Sequence, residues 1–320
     1  MRADDVPESE APPVKVLVPD DLGLDTSAAP SNVAAISYTP GTPWPPAHRD
    51  ATVVVVGYDN APAVGARFGE LPDLRLVQTL NAGYEQWVPL LPAGVMLSNG
   101  RGAHGGSSAE WVVASLLAVY RELGAFSKHQ SDGVWRPRVT ETLIGKRVVV
   151  LGAGDLAVNL VTRLAPFETD VTLVGRRARP GVNALADVDE LLPRADAVVV
   201  MLPAGEATHH IVDAAFLAQM RDGAVLVNAG RGVSVDTDAL LAELMSGRLR
   251  AALDVTDPEP LPVGHPLWSA PGLLLTPHVA GSTHGAWGRA WAVALRQIEA
   301  FARGEQPPNL VAGSAAGAGP

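Results

Sequence analysis

Apolar residues in this chain gather in short, dense, β-branched runs, and between the runs they recur at helical spacing. The clearest example spans residues 145–180. Val148, Val149, Val150 and Leu151 are an unbroken apolar run, the pattern of a strand buried on both faces. Gly152-Ala153-Gly154 follows, and then apolar residues at 156, 157, 160, 161 and 164 mark one face of a helix. A second run at 171–174 completes a strand–turn–helix–strand unit. Runs at 197–201, 224–228, 249–253 and 273–276 predict further strands, with helices between most of them. Asp213 and Asp236 are placed to cap helix starts, and Gly247 to stop a helix. Upstream, 14–18, 52–56, 74–80 and 95–97 predict an earlier set of strands, with a Pro-rich loop at 39–46 and a helix around 61–68. A long apolar helix at 108–123 links the two sets, and another at about 283–303 is long enough to return to the first.

Strands alternating with helices predict an α/β protein of two doubly wound parallel-sheet domains: a Rossmann-type cofactor domain and a smaller, flavodoxin-like substrate domain. The expected boundaries are 13–107 plus 289–312 for the smaller domain and 108–288 for the dinucleotide-binding domain. Residues 1–12 and 313–320, rich in acid, Pro, Gly and Ala, read as loose, disordered tails. No repeat of solenoid period is present.

Bulk properties narrow the function classes. A formal net charge of −10 argues against a nucleic-acid footprint. The absence of cysteine excludes disulfides, thiolate chemistry and sulfur-based metal sites, and no histidine pair has metal-ligand spacing with further ligands. The opening residues MRADDVPESEAPP are unlike a signal or transit peptide, and no apolar run approaches the length of a membrane span. A cytoplasmic protein with no membrane partner is the expectation.

The Gly152–Gly154 turn aims backbone N–H groups and a helix N-terminus at an anion, usually a dinucleotide pyrophosphate, so Gly152, Gly154, Asp155 and Leu156 are candidate cofactor residues. Ala157 stands where a third glycine is usual, and Asp155 sits where a phosphate would lie. At the end of the second strand an NAD-selecting enzyme carries Asp or Glu for the ribose 2′-OH. This chain has Gly175-Arg176-Arg177, and a guanidinium grips a 2′-phosphate where a carboxylate would repel it. NADP(H) is therefore the preferred cofactor and NAD(H) the alternative. Because open α/β sheets bind ligands at the carboxyl ends of their strands, Asn81-Ala82-Gly83-Tyr84 and 99–106 are candidate substrate loops.

Arg231, Glu259 and His278 each stand just after a late strand. Singly, each reads equally well as a loop residue; together they form an acid–base set. Reduction of a 2-oxoacid needs a hydride at the carbonyl carbon, which a nicotinamide carries, and a proton at its oxygen. Histidine suits the proton step, a neighbouring carboxylate favours the imidazolium, and an arginine can hold the substrate carboxylate and polarise the ketone.

The segments VNAGRG, DVTDPEPLP and LLLTPHVAGST resemble the three signature segments of the D-isomer-specific 2-hydroxyacid dehydrogenases, and the likeness extends over roughly residues 75–305. The resemblance implies that Arg231 contacts the substrate carboxylate and keto oxygen, that Glu259 partners the histidine, and that His278 is the proton donor and acceptor. It implies a cofactor-covering loop at MLPAGEATHHIV, with Leu202, Pro203 and Thr208, and cofactor contacts from Asn228, Ala229, Gly230, Ala280, Gly281 and His278. Asp254 is similar to the acid near the nicotinamide amide. Asn81, Ala82 and Gly83 resemble the loop whose backbone amides hold the substrate carboxylate. GRRARP is similar to the strand end of NADPH-using glyoxylate and hydroxypyruvate reductases, so the implied substrate is a small 2-oxoacid and the product a D-2-hydroxyacid. A homodimer through the 108–140 arm is also implied, with Trp135 as the arm tryptophan.

The loop at 81–85 lacks the Asp that often follows its aromatic residue, and the segment 101–107 resembles no named segment of the family closely, so its His104 reads either as a substrate contact or as a solvent-facing residue. Two other readings compete: a dinucleotide-sensing co-repressor of the same superfamily, and a phosphite-type dehydrogenase. Glu259 disfavours the formate type, which has Gln at that place.

Overall fold

The structure is a computed structural model and describes residues 12–57 and 61–313. Apart from Pro12 and Gly313, the tails expected at 1–12 and 313–320 lie outside the described residues. The chain forms two compact units, one of residues up to His104 and from His284 onward, the other Gly105–Thr283. The expected boundaries at 107/108 and 288/289 fall within a few residues of these divisions.

In the first unit β1 (Val14–Pro19), β2 (Val33–Tyr38), β3 (Val53–Val56), β4 (Leu76–Thr79) and β5 (Met96–Ser98) are parallel, with α1 (Ala61–Gly65) between β3 and β4. β3 shows why its apolar run is unbroken. Val53 and Val55 face one core with Trp291 and Ile298, and Val54 and Val56 face the other with Trp44, Phe68 and Trp87. Each face of the sheet is covered, so no position along the strand is left for a polar side chain.

The second unit begins with α2 (Gly105–Tyr120) and α3 (Leu123–Ser131). β6 (Arg147–Leu151), α4 (Asp155–Leu164), β7 (Asp170–Gly175) and β8 (Val182–Ala184) follow. Next come β9 (Ala197–Val200), α5 (Ala214–Gln219), β10 (Val225–Asn228), α6 (Thr237–Met245), β11 (Arg250–Leu253) and β12 (Leu273–Leu275). Asp213 accepts from Phe216 N and Asp236 from Ala239 N, the caps read from the sequence, and Gly247 takes φ 73° just after α6. The chain then returns to the first unit through α7 (Ala286–Ala302) and β13 (Leu310–Ala312).

The first sheet runs β2-β1-β3-β4-β5-β13, with β13 antiparallel to β5, so it is parallel except at that edge. The second is wholly parallel and runs β8-β7-β6-β9-β10-β11-β12. Its order reverses between β6 and β9, which places a ligand crevice at the carboxyl ends of those two strands. Among the described residues no helix is long and apolar enough to cross a membrane.

Candidate active site

The carboxyl ends of β6, β7, β9, β10, β11 and β12 share one edge of the second sheet, and nearly all the candidate residues of that unit follow them. The turn after β6 is shaped for a close backbone approach. Gly152 has φ 121°, and a Cβ there would lie 2.6 Å from the Met201 carbonyl oxygen at the end of β9. Gly154 precedes α4 without a side-chain cap, so the first N–H groups of that helix, beginning at Asp155 and Leu156, have no capping acceptor. An anion fits there by the chemistry of the donors.

Asp155 does not project its charge into that turn. Its Oδ1 accepts from Asn159 Nδ2 at 3.2 Å, and its buried Oδ2 lies 1.9 Å from where a Cβ on Gly105 would be, at the first residue of α2. The carboxylate thus rests against the N-terminus of a long helix, where a negative charge is stabilised.

The loops after β9 and β10 are fitted together. A Cβ on Gly230 would come within 2.8 Å of the Leu202 carbonyl oxygen. Asn228, fully buried, accepts from Gly230 N at 3.0 Å and donates to the Arg231 carbonyl at 2.9 Å, fixing the turn that carries Ala229, Gly230 and Arg231. Thr208 closes the loop after β9 by donating to the Pro203 carbonyl at 2.7 Å. The Arg231 guanidinium donates through Nη1 to the Gly230 carbonyl at 2.8 Å.

The loops after β11 and β12 are bound more tightly still. Asp254 is 3% exposed. Its Oδ1 accepts from Thr276 Oγ1 (2.6 Å) and Val279 N (2.9 Å), its Oδ2 from Ala280 N (2.8 Å), and its carbonyl from His278 N (2.7 Å). These bonds clamp the turn from Thr276 to Gly281 and hold His278 at φ 52°, a left-handed conformation rare for a residue with a Cβ. His278 Nδ1 lies 2.5 Å from Glu259 Oε1. A Cβ on Gly232 would sit 1.9 Å from the Thr256 carbonyl oxygen, so the Arg231 loop is seated directly on the Glu259 loop. The structure thus joins Glu259 to His278 and interlocks their loops with that of Arg231. Asp254, read from the sequence as a nicotinamide-side acid, spends both carboxylate oxygens on the clamp.

In the first unit, the carbonyls of residues 80–82 are each engaged. Leu80 O faces His104 Nε2 at 3.2 Å, Asn81 O accepts from Gly100 N (2.8 Å) and Thr79 Oγ1 (2.7 Å), and Ala82 O accepts from Asn99 Nδ2 (2.8 Å). No described residue accepts from the N–H groups of Asn81, Ala82 or Gly83. Asn309 donates to the carbonyls of Asn99 (3.0 Å) and Arg101 (2.9 Å), and its own N–H donates to Gln297 Oε1 (2.7 Å). Asn309 and Gln297 were not among the sequence candidates, and no local pattern marks them, because their partners are remote in the chain.

Arg179 was also missed. Its Nη2 donates to the carbonyl of Ala153, inside the glycine-rich turn, at 2.9 Å. The signal was present: Arg179-Pro180-Gly181-Val182 has Pro and Gly at the two central places of a type II turn, which sends the chain back toward β7.

The sequence profile of the D-isomer specific 2-hydroxyacid dehydrogenase NAD binding domain matches residues 113–280. A glyoxylate reductase of Thermofilum pendens is 32% identical over 255 residues, covering 75% of this chain and 75% of its own. Among solved structures, a D-isomer specific 2-hydroxyacid dehydrogenase of Xanthobacter autotrophicus, in complex with NADPH and MES, superposes with a TM-score of 0.78 at 29% identity, over 93% of this chain and 98% of its own. An NADPH-dependent glyoxylate/hydroxypyruvate reductase of Sinorhizobium meliloti, with NADP and sulfate, gives 0.77 at 27% identity, over 94% and 98%.

Proposed function

Because the chain belongs to the D-isomer specific 2-hydroxyacid dehydrogenase family, we propose that this NAD(P)-dependent oxidoreductase reduces a small 2-oxoacid of the glyoxylate or hydroxypyruvate kind, with NADP(H) preferred over NAD(H). The observation that carries the reading is the His278–Glu259 contact at 2.5 Å on a turn braced by a buried carboxylate.

Glu259 takes the Nδ1–H of His278, which fixes the tautomer and makes Nε2 the nitrogen that exchanges a proton with the substrate oxygen. In the imidazolium both nitrogens carry protons; after Nε2 gives up its proton, a neutral ring with Nδ1–H remains on Glu259. Arg231 donates to the Gly230 carbonyl, and the planar fork of a guanidinium suits a carboxylate and a keto oxygen. The amides of Asn81, Ala82 and Gly83 offer further donors to the substrate carboxylate. Gly152, Gly154 and the first turn of α4 hold the pyrophosphate, and Leu202, Pro203, Thr208, Asn228, Ala229, Gly230, Ala280 and Gly281 line the path beyond it. The bound dinucleotide supplies the hydride. Arg176 and Arg177 make no ion pair or hydrogen bond among the described residues, which supports a role in gripping a 2′-phosphate.

The working form is a homodimer through the 108–140 arm. No residue of α3 is buried, and Trp135 and Val139 are each 97% exposed, an apolar arm that a second copy would cover. The test is a panel of 2-oxoacids with NADPH and NADH, followed at the nicotinamide absorbance. Turnover of glyoxylate or hydroxypyruvate with a preference for NADPH is expected. Tight dinucleotide binding without turnover of any 2-oxoacid would point instead to a sensor.

A further inference from the structure

We propose that Asn99 and His104 are positioning residues for the substrate carboxylate: by binding the carbonyls of Ala82 and Leu80 they aim the amides on the far side of the same peptide planes. The proposal rests on the reading above that the N–H groups of Asn81, Ala82 and Gly83 hold that carboxylate.

Peptide geometry makes the link. In a trans peptide the C=O of one residue and the N–H of the next lie in one plane and point in opposite directions. A donor placed on a carbonyl therefore fixes the line of the N–H that follows. Leu80 O, Asn81 O and Ala82 O are bound by His104 Nε2 (3.2 Å), Gly100 N (2.8 Å) and Asn99 Nδ2 (2.8 Å). All of these donors belong to the segment that follows β5, and each N–H of residues 81–83 is directed away from its own brace. A carbonyl can only accept, so Nε2 of His104 carries the proton in this contact.

The seating is too close for a side chain at position 100. A Cβ on Gly100 would lie 2.2 Å from the Leu80 carbonyl oxygen, so any other residue would lift the 99–104 segment off the carbonyls it braces.

The brace is itself held. Asn99 is buried and bonded at both ends of its side chain, with Nδ2 on Ala82 O and Oδ1 accepting from Arg101 N at 3.2 Å. Asn309 clasps its backbone: the Asn309 carbonyl accepts from Asn99 N at 3.1 Å, and Asn309 Nδ2 donates to Asn99 O at 3.0 Å. Asn309 Oδ1 accepts from Arg101 Nη2 at 3.0 Å, and Asn309 N donates to Gln297 Oε1 on α7 at 2.7 Å. Turning either buried amide would leave polar atoms without partners, so the pair has one favourable arrangement. A clasp serving the fold alone would satisfy the N–H groups of 81–83 as well. Here the carbonyl side is complete, and the amide side has no acceptor among the described residues, which suits an anion.

The test is steady-state kinetics with glyoxylate and hydroxypyruvate at saturating NADPH, together with oxamate inhibition, NADPH titration and thermal melting. The proteins are the wild type, His104→Ala, His104→Gln and Asn99→Ala. Oxamate carries the carboxylate of a 2-oxoacid, but its amide carbonyl resists hydride. Glutamine can place an N–H where histidine has Nε2, so it separates bracing from any property of the ring. Both alanine variants should raise KM and the oxamate inhibition constant by about 3- to 10-fold, the scale of one neutral hydrogen bond, with kcat changed less and NADPH affinity within about 2-fold. His104→Gln should bring KM back to within about 2-fold of the wild type. Asn99→Ala should also melt lower, because it strips a buried carbonyl of its donor; the His104 pair carries the test if that variant does not fold. Unchanged KM and oxamate inhibition in His104→Ala, with the wild type inhibited by oxamate, would overturn the proposal and leave the carboxylate reading of the 81–83 amides standing. Equal weakening in His104→Ala and His104→Gln would make the ring itself the contact and overturn it as well. A wild type that neither reduces either 2-oxoacid nor binds oxamate would remove that reading and the proposal together.

Discussion

The two ends of the crevice edge in the second sheet are built on opposite plans. On the β10–β12 side nearly every polar group is committed: Asn228 to Gly230 and Arg231, Asp254 to Thr276, Val279 and Ala280, and Glu259 to His278. On the β6–β7 side the first turn of α4 is uncapped and three arginines carry no ion pair among the described residues. In the proposed reaction proton transfer needs a donor fixed within a fraction of an ångström, and the internal bracing of that side suits such a role. In the proposed function anion recognition needs donors and charge that are not already neutralised, and the unspent groups of that side suit it.

The largest expected effect breaks the braced side. His278→Ala should lower turnover by about 10²- to 10⁴-fold, the usual scale of general acid–base catalysis, with NADPH affinity by titration little changed. Turnover equal to the wild type would take His278 out of the reaction. Next is Asp254→Asn, which replaces acceptor oxygen by donor nitrogen facing a backbone N–H. It should cost about 1–3 kcal/mol in urea unfolding and lower kcat more than it raises KM. A normal kcat in a destabilised protein would reduce Asp254 to a structural role.

On the unspent side, Arg176→Ala combined with Arg177→Ala should weaken NADPH by only about 2- to 5-fold, as expected for exposed charges, and should leave both NADH affinity and the melting temperature alone. Equal weakening of NADH would remove these two residues from 2′-phosphate recognition.

The smallest effect comes from the opposite edge of the same sheet, where charged groups are also paired. Glu141 pairs with Lys146 and Arg250, and both cations also lie over the ring of Tyr120. Burial pushes the Glu141 carboxyl up, but its hydrogen bond from Lys146 and the neighbouring Arg250 charge outweigh this and hold it below its ordinary value of 4.5. Its stabilisation is therefore present above that value and is lost as the pH falls through the lowered one. Glu141→Gln should melt slightly lower than the wild type at neutral pH, with the gap closing in acid and turnover unaffected. A gap that persists in acid would assign the effect to packing.

Legibility in the sequence followed burial. The central strands announced themselves because both faces are covered, as the Val53–Val56 run shows. β2 (Val33–Tyr38) and β8 (Val182–Ala184) were missed because they lie at sheet edges and are only partly buried, so their residues need not be uniformly apolar. α3 was missed because it buries no residue and so has no apolar stripe. The positions of Arg231, Glu259 and His278 just beyond their strands could be read because the chemistry is carried by residue type. The role of Asp254 could not, since its partners are 22 or more residues away and only the folded turn brings their N–H groups to it. Asn309 is a stronger case: it supports Asn99 across 210 positions.

The contact between Asp155 and Gly105 fixes the place of a charge. With Oδ2 of the acid 1.9 Å from the place of a methyl on residue 105, any side chain there would have to swing the carboxylate away from its resting place. The glycine at 105 thus sets where the acid at 155 is parked, and a larger residue there would turn that charge loose beside the glycine-rich turn.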